Sequence, residues 1–116
     1  MGVDLSGGPS LNWAGWRFCL DVALRNGWQP EGTRAPDLVF YGPDGSVREE
    51  RVPDDEWNGG YCSNDGQWVT DSDARNLAAA LDRAIALRHK LGLDEDNCCV
   101  LAEVADTARL GGFIIF

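Results

Sequence analysis

Trp57-Asn58-Gly59-Gly60-Tyr61-Cys62-Ser63-Asn64-Asp65-Gly66-Gln67-Trp68-Val69 runs without a break into Thr70-Asp71-Ser72-Asp73-Ala74, and the reading of this junction decides the fold. Ser63-Asn64-Asp65-Gly66 contains the residue types that tolerate positive φ, so the stretch reads as a two-strand hairpin with a tight turn. Thr70, Asp71 or Ser72 can then cap a helix. Its apolar positions, Ala74, Leu77, Ala80, Leu81, Ala84, Ile85, Leu87 and Leu91, recur at helical spacing. Acids stand in its first turn, and Arg88, His89 and Lys90 stand in its last, as the helix dipole favours. Gly92 closes it, giving an expected helix over 71–91. Arg88 falls near the middle of the apolar face, where a guanidinium must either snorkel out or meet a carboxylate.

Working outward, residues 10–27 read as a first helix capped by Ser10 or Asn12 and ended by Gly27. Trp13, Trp16, Leu20, Ala23 and Leu24 share one face and are expected in the core. Phe18 and Val22 project the other way, either beneath a second layer or as an apolar interface. Two prolines and two glycines make residues 27–36 a loop. Beyond it, residues 38–41 and 47–52 flank Gly42-Pro43-Asp44-Gly45, the signature of a second hairpin. Its return strand is mostly charged and is expected at an edge. Asp96 to Leu110 reads as a third helix, with Cys98, Leu101, Val104, Ala105 and Ala108 inward. After Gly111-Gly112, the wholly apolar Phe113-Ile114-Ile115-Phe116 predicts a short strand buried in the middle of a sheet. Residues 1–9 show no such pattern and are expected to be disordered. The whole, 1–116, is expected to be a single α+β domain. Three helices would pack on a small, mainly antiparallel sheet made of the hairpin strands and the C-terminal strand.

The chain carries 19 acidic and 10 basic residues, a formal charge of −9. That balance disfavours direct contact with nucleic-acid phosphates or an anionic membrane and suits a basic protein partner. Residues 44–56 concentrate the charge. Asp44, Glu49, Glu50, Asp54, Asp55 and Glu56 outnumber Arg48 and Arg51 there, leaving a net −4, which reads as a solvated hairpin or as a docking surface for that partner. The N-terminus has neither the basic nor the apolar region of an export signal, so a cytoplasmic location is expected. The four cysteines form no Cys-x-x-Cys pair, so neither a disulfide framework nor a metal site is expected, and no cofactor is implied.

No catalytic motif emerges. His89 is the one histidine and falls on the solvent side of its helix, and neither Cys19 nor Cys62 has local activating chemistry. Asp94-Glu95-Asp96-Asn97 lacks the glycine and the later bidentate glutamate of a calcium loop and reads as helix capping. A rim formed by Trp57, Tyr61, Asn64, Asp65 and Trp68, with Arg88 as an anion contact, would suit an interface or a small polar ligand.

The Trp57 to Val69 run, followed by Asp73-Ala74 and by Leu77-Ala78 with Ala80-Leu81, resembles a family of small uncharacterised bacterial proteins. The shared pattern is W-x-G-G-Y-x-x-N-D-G-Q-x-V followed by D-A. The resemblance extends to a Trp-rich first helix, to Gly-Trp-Gln-Pro-x-Gly-Thr at residues 27–33 and to the glycine-bearing apolar end at 111–115. It brings no activity and no catalytic residue with it. Residues 35–56 match nothing in that pattern. The expected function is therefore a non-catalytic acidic protein that binds and inhibits another protein, by analogy of size and charge with immunity proteins and phage inhibitors. The alternatives are a small-molecule binder or enzyme using the hairpin rim, and a homodimer formed through Phe18 and Val22.

Overall fold

A computed structural model describes residues 2–33, 37–51, 61 and 66–116. The class is α+β. In chain order the elements are strands β1 (Gly2–Asp4) and β2 (Ser10–Asn12), helix α1 (Trp13–Arg25), strands β3 (Asp37–Tyr41), β4 (Val47–Arg51) and β5 (Gln67–Val69), helices α2 (Asp71–Ala86), α3 (Arg88–Leu91) and α4 (Glu95–Arg109), and strand β6 (Phe113–Ile115). No helix among the described residues is long and apolar enough to cross a membrane.

The helix ends follow local chemistry. The Asn12 side chain accepts from the Gly15 N–H at 2.7 Å and starts α1, so the residues just before it are free to form β2 instead of helix. The Thr70 hydroxyl accepts from the Asp73 N–H at 3.1 Å and starts α2. Asp94 and Asn97 exchange side-chain and backbone bonds in a capping box that starts α4. The long helix expected over 71–91 breaks at Leu87, whose φ of −99° and ψ of 16° separate α2 from the single turn of α3. Leucine is a good helix former, so the sequence carries no signal for that break. Gly92, at a φ of 70°, supplies the left-handed cap that ends α3.

The core lies between α2, α4 and α1. Ala74, Ala78, Ala80 and Ala84 of α2 and Ala105 and Ala108 of α4 are buried, and their small side chains let the helix backbones approach closely. Trp16, Leu77, Leu81, Leu101 and Val104 supply the bulk. Within α1, Trp16, Cys19, Leu20 and Ala23 are buried. Leu24, expected inside, is half exposed, and Trp13 is only half buried. Cys98 is likewise half buried, while the Thr107 methyl and hydroxyl face inward in α4. The Arg109–Asp82 ion pair at 2.8 Å joins α4 to α2 across the surface, and at that exposure it contributes at most about 1 kcal/mol.

Residues 2–12, rather than being disordered, form an antiparallel ribbon that pairs Val3 with Leu11 and buries Val3 and Leu5. A second ribbon pairs β5 with β6, setting Trp68 opposite Ile114. Asp4 and Phe116 exchange both backbone bonds, at 2.6 and 2.9 Å, and Leu5 bridges Ile115. The two ribbons thus meet edge to edge, with β6 between β5 and the first strand, but only Phe113 and Ile115 are buried, while Ile114 and Phe116, expected inside, are exposed because alternate side chains of a strand face opposite ways. The turn at Gly8 abuts Thr107 of α4, where a Cβ would collide.

The β3–β4 hairpin differs from expectation, because it forms a separate two-stranded sheet and shares no ladder with the C-terminal strand. The physical reason is visible in β4, Val-Arg-Glu-Glu-Arg, neither face of which is apolar enough to lie on a core. The molecule measures 62 × 25 × 22 Å, and its radius of gyration of 16.2 Å exceeds the value of about 13 Å for a compact chain of similar length.

The close α2–α4 contact predicts that Ala80→Leu lowers stability by about 1–3 kcal/mol through overpacking. Urea unfolding should show a lower midpoint at an unchanged slope.

Candidate functional site

Asp73 is the most unusual residue of the interior. It stands in the first turn of α2 on the same stripe as Leu77 and Leu81, and it is 1% exposed. A carboxylate is costly to bury unless its lone pairs are filled. Here they are filled by chain segments remote in sequence. The Glu31 N–H reaches both oxygens at 3.1 Å, the Gly32 N–H donates to Oδ2 at 2.9 Å, and the Tyr61 hydroxyl donates to the same oxygen at 2.6 Å. The positive end of the α2 dipole favours the charge further.

Two indoles brace this cluster. Trp28 Nε1–H donates to the Asp73 carbonyl at 3.0 Å, and its ring stacks on Tyr61 with centroids 5.9 Å apart and planes 19° from parallel. Trp16 Nε1–H donates to the Tyr61 carbonyl at 3.0 Å, and Trp16 also meets Phe113 edge to face. Tyr61 itself adopts a φ of 49°, a left-handed conformation rare for a residue with a side chain, so the surrounding bonds hold it in strain. Burial pushes the Tyr61 hydroxyl above its ordinary range, and the hydrogen bond and negative charge of Asp73 add to the rise. Nearby, Asp71 Oδ1 accepts from the Gly112 N–H at 2.6 Å and ties the entry of β6 to the start of α2.

The residues expected to form a rim are dispersed by this arrangement. Tyr61 is fully buried and points into Asp73. Trp68 is 45% exposed, on the outer face of β5 beside Gly112. Trp57, Asn64 and Asp65 lie outside the described residues. Arg88 snorkels, being exposed and donating to the Ile85 carbonyl at 3.2 Å. It follows Asp73 by fifteen positions, about 22 Å along a helix, so it does not join Tyr61 in one site.

Phe18 and Val22 are half buried against the core rather than standing free. With Leu91 and Leu93 they line a groove of about 340 Å³ where α1 faces the α3–α4 junction. Of the acidic stretch, Asp44 is exposed in the β3–β4 turn, where it accepts from the Ser46 N–H at 3.0 Å, and the Ser46 hydrogen bonds hold its carboxyl below the usual range. Glu49 and Glu50 lie in β4 opposite Val39 and Leu38. Asp54, Asp55 and Glu56 lie outside the described residues. Burial pushes the Cys19 thiol up to about 12, which leaves it protonated and a poor nucleophile at neutral pH. Cys62 lies outside the described residues. His89 is exposed, and no group of three or more His, Cys, Asp or Glu among the described residues could hold a metal ion.

Sequence reasoning passed over Asp73 as a buried acid. A signal was present, since an aspartate four residues before Leu77 sits on the apolar stripe of its helix. Comparison with family models, curated proteins and solved structures finds no match to this chain.

Asp73→Ala would strand two N–H groups and a hydroxyl, and its expected cost is about 3 kcal/mol or more, read from the urea midpoint. Tyr61→Phe should cost about 1–2 kcal/mol. The alkaline limb separates the two chemistries. A hydroxyl held protonated in the fold beyond its unfolded value of about 10 contributes fully below that pH and loses its contribution as pH rises above it. The stability of the wild type should therefore fall more steeply above pH 10 than that of Tyr61→Phe, and equal slopes would contradict the assignment.

Proposed function

We propose that this chain is a non-catalytic acidic protein that binds, and by binding inhibits, a basic partner protein. The observation that carries the reading is the β3–β4 hairpin. It is a two-stranded sheet outside the sheet of the C-terminal strand, and it begins the acidic stretch in a chain of net charge −9. A charged hairpin suits a docking role, because complementary charge raises the rate of encounter and disfavours wrong partners. Exposed Tyr41 and Val47, paired across the hairpin near its turn, offer apolar contact beside that charge.

The internal chemistry supports the same reading. The carboxylate with the most donors around it, Asp73, is saturated by the protein's own groups and turned away from solvent, which suits an anchor. The reading of a small-molecule site built on the hairpin rim draws less support, with Tyr61 engaged inside and Arg88 far along the helix.

The test is charge reversal on the hairpin. A basic protein co-purified from the native host should associate with the wild type at a rate that falls as salt is raised. Glu49→Lys combined with Glu50→Lys should slow that association at least about tenfold while leaving the far-ultraviolet circular dichroism unchanged. Association indifferent to both salt and the reversal would sink the proposal.

A further inference from the structure

Helix α1 buries Trp16, Cys19, Leu20 and Ala23 and turns its opposite face outward. At 3.6 residues per turn, Ala14, Arg17, Phe18, Asp21 and Arg25 share that outer face, with Val22 at its edge. Ala14, Arg17, Asp21 and Arg25 are exposed, and Phe18 and Val22 are half-buried. The face is concave. A depression of about 430 Å³ runs from Trp13 to Asp21, and Phe18 also borders the groove of about 340 Å³ that Val22 shares with Leu91 and Leu93. Among the described residues, Arg17, Asp21 and Arg25 take part in no ion pair, so their charges are open to a partner. We propose that this face binds the same face of a second copy of the chain, the two α1 helices running antiparallel about a two-fold axis beside Cys19 and Leu20.

The order of the residues selects that occupant. In a two-fold pair of antiparallel helices, positions equally far before and after the axis face each other, and every contact occurs twice. Arg17 of one copy then faces Asp21 of the other, Phe18 faces Val22, and Ala14 faces Arg25. The midpoints of all three pairs fall at Cys19, at Leu20 or between them, so one axis serves them together. Opposite charges meet, apolar side chains meet, and the small Ala14 leaves room for the aliphatic stem of Arg25. Two arginines against one aspartate also make this face locally positive on a molecule of net charge −9, which brings two acidic chains together where they repel least. A helix of 13 residues is about 20 Å long. Pairing over that length gives an interface at the small end of specific contacts, below about 1,200 Å², so the dimer forms in a concentration-dependent way.

The face uses no residue of the β3–β4 hairpin, so the dimer stands whether or not the hairpin docks a partner. Sedimentation velocity of the full chain, from about 1 μM to about 1 mM, should show the mass rising from monomer to dimer. Arg17→Asp and Asp21→Arg, made separately, each set like charges opposite one another across the axis and should weaken the dimer at least about tenfold. Mixed in equal amounts, the two variants should associate with each other about as tightly as the wild type does with itself, because every ion pair across the axis is again between opposite charges. That recovery also shows that each variant is folded. A monomer mass at every concentration would overturn the proposal. So would single variants that dimerise as the wild type does, or a mixture that stays monomeric.

Discussion

A single buried carboxylate organises this molecule. Asp73 is inside because its helix places it on the apolar stripe, and its oxygens are satisfied there by two backbone N–H groups and a tyrosine hydroxyl. Glu31 and Gly32 lie in the loop after α1. That loop and Tyr61 are therefore positioned by hydrogen bonding to α2, where a helix or sheet would have used its own ladder. The two tryptophans work in the same way, with rings filling the core and indole N–H groups donating to the carbonyls of Tyr61 and Asp73.

Around that centre the chain divides its labour. The helices and the ribbon containing β6 form an alanine-rich core in which little can move without overpacking. Strand β4 carries charge where a core strand would carry valine or isoleucine, and among the described residues it pairs only with β3. A strand whose faces are both polar gains nothing from burial.

Much of the fold was legible where the deciding interactions are local. Asn12, Thr70 and Asp94 announce helix starts because a cap reaches only two or three residues, and Gly92 announces an end because one residue must take a left-handed φ. The apolar run from Phe113 predicted a strand, and the strand forms, though only Phe113 and Ile115 of the run are buried. What escaped was the break at Leu87, the ordered ribbon of residues 2–12 and the independence of the acidic hairpin. The ribbon in particular has a weak pattern of its own, and Val3 and Leu5 are meaningful only beside a partner that lies at the far end of the chain.

The candidate site shows the same boundary. The sequence by itself marked the two segments that matter, residues 27–33 and 57–74, through their glycines, tryptophans and turn residues. It also narrowed the start of α2 to Thr70, Asp71 or Ser72 and showed which of its faces is apolar. Only the tertiary structure decided that these segments meet, that Tyr61 is an internal donor and no rim residue, and that Arg88 stands apart. The reason is distance along the chain. A cap or a turn is settled by neighbours a few residues away, whereas the bonds to Asp73 join groups as many as 42 residues apart, and such pairings exist only once the helices have packed and brought them within reach.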